Sequence, residues 1–360
     1  MPNRTGPFRF PFPAPAPDPG SSAAPTGAPW PARVLVTGGA GFIGGHLAAR
    51  LLRAGARVAV LDDFSTGRAE NLPRHPSLRV IRGCVTDAAA VRAAGPVDAV
   101  FHCAGVVGMR LAVRERERAW RVAVRGTRTV IEATGDAALV LVSSSAVYGV
   151  DAPVPAGEHQ AAGAAGLLDY DGGTRGYASG KLGMERLGRA AARMGRRVLI
   201  VRPFNVVGPR QTHAYGMVLP SFVRHALEGL PLEVHDDGLQ TRCFSHVGTF
   251  VDALLRLART PPAWARGGRV VNLGSATPTS IGELAELVLE ETGSASPVLR
   301  VPYASVFPGR RDVRERIPDT SLLAELSGAP RWPGAREIVR EVLAEVEAGE
   351  RRLLEAAGAD

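Results

Sequence analysis

The chain has 360 residues, 45% of them hydrophobic and 22% charged, with a net charge of +8. That is enough to bury a full core in one large or two intimately joined domains, and it is too apolar for a disordered chain. No apolar run approaches the roughly 20 residues that span a bilayer, so no membrane partner is expected. The arginines are interleaved with acids, as in "RERER" (Arg114 to Arg118), a solvated helix face rather than a nucleic-acid surface.

Residues 1–32 are rich in Pro, Ala, Gly and Ser and lack the apolar core of a signal peptide, so a disordered tail is expected there. From Arg33 the pattern changes. Val34, Leu35 and Val36 form a buried strand, a glycine turn follows, Leu47, Leu51 and Leu52 mark one helix face, and Gly55 stops that helix before a second strand, Val58 to Leu61. Further apolar strands lie at 78–83, 98–105, 138–149 and 197–208, separated by helical stretches. Strands alternating with helices imply an α/β fold whose parallel sheet is covered on both faces. Beyond Gly208 the pattern loosens. "MVLPSFVRHALEG" and "SIGELAELVLEETG" suggest helices of a smaller C-terminal lobe, with strand 269–274 returning to the main sheet. Cys84, Cys103 and Cys243 are far apart and odd in number, as expected in a reducing cytoplasm.

The turn after the first strand reads Thr37-Gly38-Gly39-Ala40-Gly41-Phe42-Ile43-Gly44. Glycines there let the backbone approach a pyrophosphate, whose charge sits at the helix N-terminus. Asp62 ends the second strand, 18 residues beyond Gly44. A carboxylate in that place bonds ribose hydroxyls and repels a 2′-phosphate, which favours NAD over NADP.

With these motifs the chain resembles the extended short-chain dehydrogenase/reductase family, in particular its nucleotide-sugar epimerases and dehydratases, from Arg33 to about Glu347. "DDFSTG" (62–67) is similar to the family's "DNLSTG", "GCVTD" (83–87) to "GDVTD", "FHCAG" to "FHLAA", and "FNVVGPRQ" to "FNVYGPRQ". The resemblance implies a Rossmann-type doubly wound parallel sheet with a smaller C-terminal α/β substrate lobe. The NAD-binding part would span 33–207 with 240–275 returning to it. The substrate lobe would take 208–239 and 276–347, leaving 348–360 as a C-terminal tail. It also implies cofactor contacts from Gly38, Gly41, Phe42, Ile43, Gly44, Asp62, Asp63, Ser65, Thr66, Gly67, Cys84, Val85, Ala104, Tyr177, Lys181 and Phe204, and no metal.

Lys181 is the only lysine among 43 Lys+Arg residues. An ammonium is a compact charge with a tunable pKa, which the planar, permanently charged guanidinium is not. Tyr177 lies four residues earlier, so on a helix both side chains share one side. Positive charge from Lys181 and an oxidised nicotinamide would favour the phenolate of Tyr177, otherwise a poor base at neutral pH. By the resemblance, "SSSAVYG" matches the family's "SSSSVYG" and Ser144 is the third catalytic group, with Ser143 and Ser145 as competing assignments.

Dehydratases of the family carry an Asp-Glu pair after that serine, and decarboxylases a Glu two positions on. Here Ser145 and Ala146 stand there, which leaves epimerisation, with dehydration or decarboxylation as the alternative and a non-catalytic NAD-binding regulator as a third reading. The chain departs from the family at Cys84 (usually Asp), Ala123 (Asn) and Gly180 (Ser). For the substrate the resemblance implies contacts from Ser144, Ser145, Tyr177 and Asn205, with the pyrimidine base between Val218, Leu219 and His235. The diphosphate falls to Arg242 and Arg310, Arg311 and Arg316 being alternatives to the latter. Arg110 could meet a sugar carboxylate. A UDP-sugar is favoured and a dTDP-sugar is possible. Two subunits are expected to pair as a homodimer through a four-helix bundle made by residues 117–134 and 177–194.

Overall fold

The computed structural model describes residues 33–161 and 164–357; the tail expected over residues 1–32 lies outside them. Seven short apolar runs form the strands β1 (Arg33–Thr37), β2 (Arg57–Asp62), β3 (Leu78–Arg82), β4 (Ala99–His102), β5 (Ala138–Val142), β6 (Val198–Pro203) and β7 (Arg269–Leu273). Around them run helices α1 (Phe42–Arg53), a helical run 116–133 here called α2, α3 (Tyr177–Arg193), α4 (Val218–Leu227), α5 (Val247–Arg259), α6 (Ile281–Thr292) and α7 (Ala335–Ala357). The α2 run is made of Arg116–Arg121, a π-helical turn Val122–Gly126, and Thr127–Ala133.

The strands pair in the order β7-β6-β5-β4-β1-β2-β3, every pairing parallel. The order reverses between β1 and β4, where a crevice opens at the strands' carboxyl ends. Both faces of the sheet are covered. Val34 and Val36 point to a core shared with Leu47 and Leu51 of α1 and Phe250 and Leu254 of α5, whereas Leu35 joins Val122 and Val130 of α2 and Met184 of α3 on the other side. This two-sided burial is why the strands other than the exposed edge strand β3 read as near-continuous apolar runs rather than as alternating ones.

A separate apolar core lies beyond the sheet, built from Phe222 and Val223 of α4, Leu284 and Val288 of α6, and Ile338 and Val339 of α7. Strand Leu232–His235, paired in parallel with Val298–Val301, closes it. Helix α7 continues to Ala357, so the tail expected over 348–360 begins no earlier than residue 358. The reason is local: after Glu347 the sequence keeps mainly helix formers up to Ala357, and the one glycine among them, Gly349, is too little to end the helix.

Two buried polar networks cross these layers. His102, fully buried, bonds Thr37 Oγ1 through Nδ1 at 2.7 Å and Thr127 Oγ1 through Nε2 at 3.0 Å. Because the Thr127 hydroxyl donates to Ala123 O (2.6 Å), it accepts from the ring, which fixes the neutral Nε2–H tautomer; burial pushes the His102 pKa down to about 3. The strand of the glycine turn is thereby tied to the π-helical turn of α2. In the second network Arg202 of β6 forms a two-pronged ion pair with Glu185 of α3 (2.9 and 2.8 Å), and Ser143 donates to Glu185 at 2.6 Å. The Arg202 and Glu185 side chains are 1% and 2% exposed, so this pair must be complete to be tolerated.

Candidate active site

A cleft of about 760 Å³ runs along the carboxyl ends of the strands, between the sheet and the C-terminal core. At one end lies the glycine turn. Gly38 has φ +66°, and a Cβ there would stand 2.7 Å from Ala104 N, so only glycine lets β1 turn this close to the end of β4. The chain then enters α1, whose first turn carries no side-chain cap. Gly41, Phe42, Ile43 and Gly44 line the cleft there, leaving open helix amides for an anion.

Asp62, 8% exposed, braces the turn: its carboxylate accepts from Ala40 N and Phe64 N, both at 2.9 Å. Burial raises its pKa, offset in part by these backbone donors. Asp63 accepts from Ser65 N and Oγ, and Arg118 reaches it at 3.3 Å. Asp62, Asp63, Ser65, Thr66, Cys84, Val85 and Ala104 all line this end of the cleft. Uncapped amides for a pyrophosphate and a carboxylate 18 residues past Gly44 for a ribose fit NAD.

Tyr177 and Lys181 project from the first turns of α3 into the middle of the cleft. Sequence reading missed what holds that helix end. Asp171, 3% exposed, accepts from Ala178 N (2.9 Å) and Ser179 N (2.8 Å), capping α3 directly beneath Tyr177. The two unusual residues Gly180 and Ala123 prove to be one feature. A Cβ on Gly180 would lie 3.1 Å from Trp120 Cα and 3.2 Å from the Ala123 Cβ, so small residues on both helices let α3 press against α2.

Lys181 Nζ donates to Val142 O at 2.7 Å, which ties α3 to the end of β5 and to Ser144 just beyond it. Burial pulls the Lys181 pKa down to about 8, while Cys103 and Glu185 act to raise it. Tyr177 is pushed the other way, up to about 12, chiefly by burial; a hydrogen bond with the Ser144 side chain lowers it, and Tyr170 and Asp171 raise it. At Tyr177 burial thus outweighs the hydrogen bond with Ser144, opposite to the direction in which the sequence expects Lys181 and an oxidised nicotinamide to act.

Ser144, Ser145, Asn205, Val218, His235, Arg242 and Arg310 also line the cleft. Three expected contacts do not. Phe204 is fully buried behind the cleft against Tyr148, with ring centroids 5.9 Å apart, and Leu219 is fully buried in the C-terminal core, because both are large apolar groups with that option. Gly67 instead packs against the Asp62 carboxylate. Among the arginines, Arg242 is paired with Asp312 (3.1 Å), and Arg310 donates to Tyr170 O (2.6 Å) and Asp171 O (2.5 Å), holding the 164–171 helix over the site. Arg311 pairs with the exposed Asp151 at 2.6 Å. Arg110 lies 3.6 Å from Glu233, both well exposed.

Sheet order, crevice and glycine turn together define a dinucleotide-dependent enzyme. Residues 34–274 match the model of the NAD-dependent epimerase/dehydratase family, and the chain belongs to that family. It is 32% identical over 306 residues to the UDP-N-acetyl-alpha-D-glucosaminuronate decarboxylase of Bacillus cytotoxicus, covering 82% of this chain and 91% of that protein. Its fold is similar to that of UDP-glucose 4-epimerase from Thermotoga maritima, solved with UDP-glucose (25% identity, TM-score 0.77, covering 88% of this chain and 99% of that one). MoeE5, solved with UDP-glucuronic acid and NAD, is 29% identical with a TM-score of 0.72 over 88% of this chain and 99% of its own.

The opposed influences on Tyr177 give a signed prediction for the NAD-loaded enzyme. Ser144→Ala removes the interaction that lowers the phenol pKa, so turnover at neutral pH should fall and the rising limb of the kcat–pH profile should move to higher pH. Asp171→Asn removes a charge that raises it, so its limb should move to lower pH. Limbs that move together, or not at all, contradict this assignment of the base.

Proposed function

We propose that the protein is an NAD-dependent epimerase that inverts C4 of a UDP-linked hexose or hexuronic acid. The observation that carries this reading is that, among the described residues, no acid directly follows Ser144 and the buried carboxylate beneath Tyr177 is already committed. The two positions after Ser144 are Ser145 and Ala146. The buried carboxylate closest in sequence to Tyr177, Asp171, spends both oxygens on helix amides. Asp312 is spent on Arg242. Elimination of water across C5 and C6 needs a second acid–base group, and none of these supplies it.

The chemistry left is oxidation and reduction at one carbon. NAD, when bound, accepts the C4 hydride and gives it back. The chain's own part is proton handling and orientation. Tyr177 takes the proton of the C4 hydroxyl and returns it to the C4 oxygen once the 4-keto sugar has turned over to present its other face for reduction, and the Ser144 hydroxyl bridges substrate and phenol. Lys181 spends one donor on Val142 O and keeps two for ribose hydroxyls. Asn205 and Arg242 are assigned to the diphosphate, and Val218 and His235 to the pyrimidine. The His235 ring sits edge-on to Tyr303 and Phe307. An assembly in which α2 and α3 pair with those of a second copy as a four-helix bundle belongs to the same proposal; a monomer by light scattering at micromolar concentration contradicts it.

Decarboxylation of a UDP-uronate is the second reading, favoured by the name of the Bacillus relative. A 4-keto uronate is a β-keto acid and can lose carbon dioxide without an added base. Incubating the enzyme with UDP-glucose and with UDP-glucuronate separates the two by mass. Epimerisation gives an isomer of unchanged mass and no net NADH. Loss of about 44 mass units marks decarboxylation and of about 18 dehydration, and either overturns the proposal.

A further inference from the structure

Lys181 is the chain's only lysine, and it lies in the wall of the cleft, 3% exposed. Its Nζ donates to Val142 O at 2.7 Å; among the described residues it has no second hydrogen-bond partner and no ion pair. The contrast with buried Arg202 is sharp, since that guanidinium holds both oxygens of Glu185. Gly105 lines the cleft beside the amine. A Cβ there would stand 3.4 Å from Nζ, so a residue without a side chain leaves that approach open. The ring centroid of Tyr177 is 5.9 Å from the same nitrogen.

The groups that face this amine hold its proton weakly. Burial pushes the Cys103 thiol, at the end of β4, up to about 12 and the His102 ring down to about 3, so both are neutral. Glu185, one turn along α3, is the one carboxylate that acts on Lys181, and Arg202 and Ser143 already engage it. Burial therefore prevails, and the Lys181 pKa falls to about 8. At pH 7 roughly one-tenth of such amines lack the proton, against less than about 0.1% for an exposed lysine near 10.4. Tyr177, displaced up to about 12, keeps its phenol proton. A desolvated, partly neutral amine beside a proton donor is the pairing with which carbonyl compounds react.

We infer that Lys181 is an imine-forming modification site for aldehydes in chains that do not carry NAD, and that bound NAD shields it. The lone pair of Nζ adds to the aldehyde carbon, and a proton from Nζ passes to the aldehyde oxygen. The carbinolamine then loses that oxygen as water, its departure assisted by the Tyr177 phenol. Amine and aldehyde become imine and water, with no change of oxidation state. The adduct takes the place of the ribose assigned to the two remaining donors of Lys181, so a modified chain is closed to the cofactor. An arginine at 181 would stay protonated and inert to aldehydes. The inference does not depend on which sugar reaction the enzyme performs, and an enzyme that fails as an epimerase leaves it standing.

Pyridoxal 5′-phosphate is the probe, an aldehyde whose phosphate suits the open amides at the start of α1. The purified full-length chain is assayed for its NAD content, treated with the probe, reduced with borohydride and weighed intact. One adduct per NAD-free chain is expected, so that adduct and NAD together account for every chain. Peptide mapping should place the adduct on Lys181, and NAD at ten times its Kd should slow labelling about 10-fold. The labelling rate should rise with pH through a midpoint near 8. Labelling confined to the α-amino group overturns the inference, and so does labelling of Lys181 that NAD does not slow. A midpoint near about 10.4, that of an ordinary exposed lysine, overturns it as well. Lys181→Arg should take up no probe at this site, and the wild-type measurements decide the matter even where that variant does not fold.

Discussion

The bond from Lys181 Nζ to Val142 O, 2.7 Å long, is the constraint from which the active-site geometry follows. It joins the helix that carries Tyr177, the proposed base, to the strand that delivers Ser144, and it does so with a buried ammonium. Such a charge is costly to desolvate, and the structure spreads the cost. Glu185, one turn further along α3, acts on Lys181 and is itself held by Arg202 and Ser143. The ion pair in the core is thus part of the active site's foundation. Removing one partner of a pair so deeply buried leaves a bare charge next to the catalytic helix, a change that typically costs about 3–5 kcal/mol.

The charges along the cleft are sorted by whether they are already committed. Asp171 is spent on helix amides, Asp312 on Arg242, and Arg310 on backbone carbonyls. Tyr177 and two donors of Lys181 are left for the proton handling and ribose binding proposed for them, an arrangement that suits the proposed inversion at a single carbon better than elimination. The same sorting explains why three arginines that look equivalent in "GRRDVRER" are not. Arg310 braces a helix, Arg311 lies in an exposed pair, and Arg316 faces the cleft.

Much of this was legible in the sequence because it is local. The glycine turn with its trailing Asp62, the run of buried strands and the four-residue spacing of Tyr177 and Lys181 depend on neighbours in the chain, and the structure keeps all three. What escaped depends on contacts outside the local helix and strand pattern. Asp171 caps α3 only because the chain loops back across the start of that helix. The role of His102 needs Thr37 and Thr127, 65 and 25 residues away. The side chains of Phe204 and Leu219, expected at ligands by motif position, are large and apolar and lie in a core, a placement set by partners the motif does not show. Gly180 and Ala123 read as two unrelated departures from a pattern; only contact between α2 and α3 makes them one accommodation.

The central claim is that this site needs an ammonium at position 181, and replacing the only lysine of the chain by the residue used at 42 other positions tests it directly. Lys181→Arg preserves charge but alters donor geometry and adds bulk beside Val142 O. The NAD-loaded variant, with a melting temperature near that of wild type, should lose at least about 100-fold in kcat, the scale of a misplaced acid–base group. An arginine variant that turns over at the wild-type rate would contradict the account, leaving Lys181 an ordinary surviving lysine and Tyr177 without its organising partner.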